Sequence, residues 1–284
     1  MTDDAKLLHL LVDALATSAL REVIDLGASL DVIVVPVKGV VLARWIYDDV
    51  AQRPYRDLDV LVPRAGLPRL IEAVRKKGWA IRHVSIEMGE LEFEFDRLVV
   101  EVHAEFGRRD MTRVSTEEVI GRAHSDRETF PFEVMRIDDI DHFLLLVANV
   151  TKKSYTYSNA HHPADLERLL ERLEGRWSAL VARARDAGFA TGLQSVVTWM
   201  ADEVGSELFE RFRRLLPRHR RLLPAVVRLH RRWSSRRPGR LETTSGLFGL
   251  ALATLTPDDW SMRRRGLTRL VRRGIYRRLG RDPG

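Results

Sequence analysis

Asp57 and Asp59 stand two residues apart in the run Asp57-Leu-Asp-Val-Leu-Val62, where acids alternate with apolar residues. Alternation of period two marks a half-buried strand, so both carboxylates emerge on one face while Leu58 and Val60 turn to a core. Two carboxylates a few ångströms apart repel each other unless a cation lies between them. The strand supplies no basic residue between the two, and oxygen-only ligation suits Mg²⁺ or Mn²⁺ better than zinc. Glu101 and His103 repeat the pattern further along the chain, with Val100 and Val102 on the opposite face. Hairpin pairing with flanking strands is expected to bring Glu101 beside the two aspartates. Three converging carboxylates that hold two Mg²⁺ form a site for in-line displacement at phosphorus: one metal activates the attacking oxygen, the other neutralises the leaving pyrophosphate. Lys38-Gly39, between a strand-like run and a helix-like one, adds backbone N–H groups and an ammonium suited to phosphate. Arg53 and Arg56, just before the aspartates, carry the planar fork that grips phosphate bidentately. His103 is read as a packed, hydrogen-bonded strand histidine.

The elements that must position these side chains can be read from periodicity. Ala5 to about Leu26 has Leu8, Leu11 and Leu15 at helical spacing. Asp31–Val37 is a β-branched run with Pro36 near its end, a buried strand at an edge or bulge. Val40–Tyr47 and Leu67–Lys77 read as helices, the second stopped by Gly78. Leu91–Phe95 and Leu98–Phe106 read as further strands. Beyond about Asp138 the pattern turns helical, over Asp141–Val150, Asp165–Leu173, Trp177–Ala187 and Thr191–Glu203. The expected architecture is therefore α+β: a mixed-sheet domain over residues 1–140, then an α-helical domain over 141–284. His161-His162 are expected in a loop.

Charge divides the chain in the same sense. From Ser206 onward there are 21 arginines, no lysine and 6 acids, a balance of +15, whereas the preceding 205 residues hold 26 basic and 34 acidic groups, a balance of −8. The arginine-rich end is either a solvated basic face or a platform for nucleic acid or another anionic surface. The absence of cysteine excludes disulfides, thiolate metal sites and cysteine nucleophiles, and fits a cytoplasmic protein. No apolar run is long enough for a transmembrane segment, and the acids of Met1-Thr-Asp-Asp4 do not suit a signal peptide. Nucleotide-binding Gly-x-x-x-x-Gly-Lys and Gly-x-Gly-x-x-Gly loops and a Gly-x-Ser-x-Gly elbow are absent.

The ordered set of a strand ending in Lys38-Gly39, Tyr47, Arg53-Pro-Tyr-Arg56-Asp57-Leu-Asp59, Gly78-Trp79 and Glu101-Val-His103 resembles the uncharacterised nucleotidyltransferase family of the DNA polymerase β-like superfamily. The likeness runs from about residue 30 to 107 and continues more weakly through the helical half, where Lys152, Lys153 and Asp165 take family-like positions. It implies a polymerase-β-like nucleotidyltransferase domain in which Asp57 and Asp59 bind both metals and Glu101 the catalytic one. In that role Glu101 also serves as base toward the acceptor hydroxyl. Lys38 and Gly39 would stand where the broader superfamily has Gly-Ser against the triphosphate. Here Val40 follows Gly39, so the hydroxyl contact is missing. Arg53, Arg56 and Lys152 complete the implied nucleotide contacts. The reaction implied is transfer of a nucleoside monophosphate, most simply AMP from ATP, to a hydroxyl of a small molecule, peptide, protein or RNA. The alternative is a catalytically degenerate module of the same fold that docks nucleic acid or membrane through its basic C-terminal helices.

Overall fold

Two short strands with aliphatic inner faces organise the sheet that carries these residues. In the computed structural model, residues 3–107, 112–152, 161–216, 258–259, 261–264 and 268 are described. The chain opens with α1 (Asp3–Ser29), β1 (Val35–Val37), α2 (Gly39–Trp45) and β2 (Asp57–Leu61). It continues through α3 (Leu67–Lys76), β3 (Ala80–Ser85), β4 (Glu90–Phe95) and β5 (Leu98–His103). These strands form one mixed sheet in the order β1-β2-β5-β4-β3. All its pairings are antiparallel except β2 with β5, which run parallel. The architecture is α+β, as expected.

Period-two alternation decides the two faces. Leu58 and Val60 of β2, Val100 and Val102 of β5, and Leu91 and Phe93 of β4 are buried in one core with Leu20 and Val23 of α1 and Leu70, Ile71 and Val74 of α3. Trp79 stacks on Phe93 at 5.2 Å between ring centroids, which closes this core under the β3–β4 hairpin. The buried stripe of α1 is His9, Asp13, Ala16, Ala19, Leu20 and Val23, whereas Leu8 and Leu11 are exposed at 63% and 60%. Helical spacing found the helix but not its inner face: the buried side of the first half runs through His9 and Asp13, which meet Val50, Arg44 and Tyr55, and Leu8 and Leu11 lie off it.

The N-terminal unit is completed by α4 (Thr116–Gly121), capped by Ser115 and Glu118 in a reciprocal capping box, and by the short hairpin of β6 (His124–Asp126) with β7 (Val134–Arg136). Then follow α5 (Asp139–Lys152), α6 (His161–Arg172), α7 (Trp177–Asp186), α8 (Ala190–Trp199), a π-helical turn at Met200–Val204, and α9 (Glu207–Arg213). His161 and His162 open α6 rather than a loop. The described residues fall into two compact units, one drawn from Met1–Phe106 with Val114–His142, the other from Gly107–Arg113 with Phe143–Pro283. The second unit is a helical assembly with Phe143, Leu166, Leu169, Leu180, Val196, Phe209 and Phe212 fully or almost fully buried. Most of the arginine-rich end, and the helices expected there, lie outside the described residues. Among the described residues no helix is long and apolar enough to cross a membrane.

Candidate active site

The parallel pairing of β2 with β5 sets the site. Its register puts Asp59 directly opposite Glu101, and Leu61 opposite His103. The face opposite the aliphatic core therefore carries Asp57 and Asp59 beside Glu101 and His103. Asp59 and Glu101 become neighbours, but not through a hairpin: the chain leaves β2, builds α3, β3 and β4, and returns as β5 alongside β2. On the far side of β5, Glu92 stands opposite Glu101 and lengthens the acidic row.

His103 belongs to the cluster. Its Nε2 lies 2.9 Å from Asp59 Oδ1 and 3.5 Å from Glu101 Oε2. One ligand atom from each of Asp59, Glu101 and His103 falls within 4.8 Å of the others, a spacing that can hold a metal ion. The signal for His103 was available in its two-residue offset from Glu101, which places both on one face of β5.

The counter-charge to the aspartates comes from outside their strand. β1 pairs with β2 so that Val37 faces Asp59, and the next residue, Lys38, reaches back to place Nζ 2.5 Å from Asp59 Oδ1. Burial opposes charge on all of these groups, and their neighbours decide the outcome. Burial raises the Asp59 pKa, but Lys38 and His103 outweigh it and hold the carboxyl well below its usual range. Burial lowers the Lys38 pKa, yet the charges of Asp59, Glu101 and Asp57 raise it overall. Glu101 is lowered by its contact with His103, against the opposing effect of burial. For Asp57 the balance reverses: burial, then the charges of Asp59 and Glu101, outweigh Lys38 and Arg53 and push it up to about 6. Asp57 is thus a carboxyl whose negative charge is under-compensated by the protein's own groups.

The two arginines separate. Arg53 is buried, 6% exposed, with Nη1 only 3.0 Å from where a Cβ on Gly39 would lie, and Tyr55 Cβ is 2.8 Å from the same point. Gly39 is therefore required by close approach: a side chain there would collide with the loop leading into β2. Arg56 is exposed. Tyr55 donates to Asp13 Oδ1 at 2.7 Å, and Asp13 Oδ2 accepts from Arg44, which pins this loop to α1 and α2. Lys152 ends α5 in the second unit, and its side chain, like the whole of Lys153, lies outside the described residues. Asp165 is fully buried on α6.

One further group has no sequence signal. The backbone N–H of Lys38 donates to Nε2 of His142, 104 residues away, at 3.2 Å. His142 is fully buried, and burial together with the charges of Arg136 and Arg53 pushes its pKa down to about 3, so the ring is neutral.

The mixed five-stranded sheet, with helices packed on it, agrees with the α+β domain that the motifs implied. Residues 8–204 match the sequence model of the uncharacterised nucleotidyltransferases, and the chain belongs to that family; its class of chemistry is nucleotide transfer. No curated protein matches the sequence. Among solved structures, the chain is similar to the antibiotic-resistance factor ANT(2'')-Ia at 12% identity and a TM-score of 0.47, over 61% of this chain and 92% of that one. It is similar to the lincosamide antibiotic adenylyltransferase LnuA with lincomycin bound at 14% identity and a TM-score of 0.37, over 53% and 93%. A tRNA nucleotidyltransferase complexed with primer tRNA and an incoming ATP analogue aligns at 14% identity and a TM-score of 0.27, over 90% and 99%.

Proposed function

We propose that the protein is a Mg²⁺-dependent cytoplasmic nucleotidyltransferase that moves a nucleoside monophosphate, most simply AMP from ATP, to an acceptor hydroxyl and releases pyrophosphate. Residues 1–140 would form its catalytic domain, and residues 141–284 a helical domain. The observation that supports this most directly is the meeting of Asp59, Glu101 and His103 within 4.8 Å on the face that also carries the under-compensated Asp57.

The donor set fits a hard divalent cation: Asp57, Asp59 and Glu101 would hold two Mg²⁺, and the His103 nitrogen makes Mn²⁺ acceptable as well. Bound there, the ions supply Lewis-acid stabilisation of the charge that builds on the transferring phosphoryl group and the leaving pyrophosphate. Glu101 takes the proton of the acceptor hydroxyl as its oxygen bonds to the α-phosphorus. The bond from that phosphorus to the bridging oxygen breaks, and its electrons leave with pyrophosphate. His103, bridging Asp59 and Glu101, holds Glu101 ionised and oriented for that task. Lys38, Gly39, Arg53 and Arg56 would bind the triphosphate. No residue need form a covalent intermediate.

The test is ATP binding by calorimetry, with and without Mg²⁺, together with pyrophosphate release in the presence of candidate hydroxyl acceptors. Wild type should bind ATP in a metal-dependent way. Asp59→Asn should lose that dependence, and Glu101→Gln should remain folded while turnover falls by roughly 10²-fold or more. Equal metal-dependent binding by wild type and Asp59→Asn would remove the basis of the assignment. The excess of 21 arginines over 6 acids after Ser206 favours a second reading, docking to nucleic acid. Such binding should weaken steeply with salt, and its absence at low salt would exclude it.

A further inference from the structure

We propose that His142 is a positioning residue for the transfer reaction: its ring accepts the Lys38 amide N–H and so locks Lys38 in a backbone conformation that aims its ammonium at Asp59. The proposal rests on the transferase reading above and adds a residue that lies outside the metal-binding row.

Lys38 adopts φ 55° and ψ −126°. This is not the left-handed helical well that non-glycine residues occasionally occupy, but a region in which a Cβ is crowded by the backbone. A lysine stays there only if its surroundings over-determine it, and three contacts do so. Its carbonyl accepts from the Leu42 N–H at 2.8 Å, the first hydrogen bond of α2. Its ammonium donates to Asp59 Oδ1 at 2.5 Å. Its own N–H donates to His142 Nε2 at 3.2 Å. The first two contacts would survive many small rotations of the Val37–Lys38 peptide. The third fixes the orientation of that peptide plane directly.

His142 is built for the task. An imidazolium offers two donors and no acceptor, so the bond requires the neutral ring with its proton on Nδ1. The ring is fully buried, and among the described residues Nδ1 has no hydrogen-bond partner, so the Lys38 amide is the one hydrogen bond recorded for the ring there. One face stacks on Trp45 at 5.7 Å. Above Trp45 lies the Arg136 guanidinium, 4.0 Å from the ring centroid. Arg136 is itself held by Asp126 at 2.7 Å and Asp139 at 3.0 Å. The chain of contacts from the β6–β7 hairpin to Lys38 is continuous, and burial, reinforced by the positive charges of Arg136 and Arg53, keeps the imidazole unprotonated, hence an acceptor. A residue serving only to fill the core would need the ring but not the acceptor nitrogen.

The experiment compares wild type with His142→Phe, which keeps a ring against Trp45 but has no acceptor, and His142→Gln, whose amide oxygen can reach the Nε2 position. Each is measured for Mg²⁺-dependent ATP affinity, pyrophosphate release and melting temperature. His142→Phe should lose roughly tenfold to a hundredfold in ATP affinity or turnover, the scale of one buried N–H left without its acceptor. His142→Gln should recover most of that loss even where its melting temperature is no better. Wild-type behaviour of His142→Phe, or equal loss in both variants, overturns the proposal. If wild type neither binds nor turns over nucleotide, the transferase reading fails instead. The Lys38 contact is then judged alone by ¹⁵N NMR of the wild-type histidines: an unprotonated Nε2 on His142 supports it, a protonated Nε2 overturns it.

Discussion

Removing the charge of Asp57 should make the protein more stable while disabling it. Asp57 sits on β2 beside Asp59 and Glu101, and its pKa is raised from 3.8 to about 6 by burial and by those two charges. A carboxyl with a raised pKa binds more protons in the folded than in the unfolded chain between those two values. Its contribution to folding is therefore fully present below pH 3.8, is lost as pH rises toward 6, and stays lost at neutral pH. The gap of about two pH units corresponds to about 3 kcal/mol at 1.36 kcal/mol per unit, an upper bound because water and small rotations relieve part of the repulsion. Asp57→Asn keeps the shape and deletes the charge. At pH 7 and without divalent metal it should gain about 1–3 kcal/mol, or roughly 2–10 °C in melting temperature for a chain of this size. The gain should vanish near pH 4, where wild-type Asp57 is itself largely protonated. Added Mg²⁺ should raise the melting temperature of wild type more than that of the variant, since only wild type presents the full donor set. Calorimetric melts at pH 4 and pH 7, with Mg²⁺ or with chelator, read all of this directly. An Asp57→Asn protein that is less stable than wild type at pH 7 in chelator, or equally stabilised at both pH values, would refute the reasoning.

Two other outcomes follow from the same geometry. His142, neutral in the fold with its pKa lowered from 6.5 to about 3, must lose stability as pH falls through that window. By pH 5 its share of the loss reaches about 2 kcal/mol. In denaturant titrations between pH 7 and pH 5, His142→Phe should show a shallower decline than wild type; identical slopes would contradict the buried, neutral ring. Gly39→Ala should destabilise by about 1–3 kcal/mol, because the new Cβ meets Tyr55 Cβ at 2.8 Å and Arg53 Nη1 at 3.0 Å. The helix propensity of alanine returns only about 1 kcal/mol. A Gly39→Ala protein that melts at or above wild type would show that the Arg53 loop yields freely.

What could be read in advance follows from how local each constraint is. The face on which Asp57, Asp59, Glu101 and His103 emerge is set by the two-residue repeat of an extended chain, a property of adjacent peptide units, and so it was legible in the order of residues. The same holds for the helices of the C-terminal half, whose apolar spacing persists whatever they pack against. The inner side of α1 was not legible: Leu8 and Leu11 have the right spacing but are exposed, because the side of the first half that is buried carries the polar His9 and Asp13, whose partners are Val50, Arg44 and Tyr55. The short β6–β7 hairpin and the β3 strand carried too little apolar alternation to stand out, and both depend on neighbours for their pairing.

The amino-acid order alone determined that Asp57, Asp59, Glu101 and His103 are carboxylates and an imidazole at two-residue spacing, and which face of their own strand they occupy. Tertiary structure alone decided that Asp59 and Glu101 are direct neighbours, since a parallel pairing requires the chain to return through α3, β3 and β4, and no local rule sets that register. It also decided the partners of charge: Lys38 on Asp59 and His142 on the Lys38 amide are contacts over 21 and 104 residues. Hydrogen bonds and ion pairs act over a few ångströms of space, so their members are chosen by packing and not by distance along the chain.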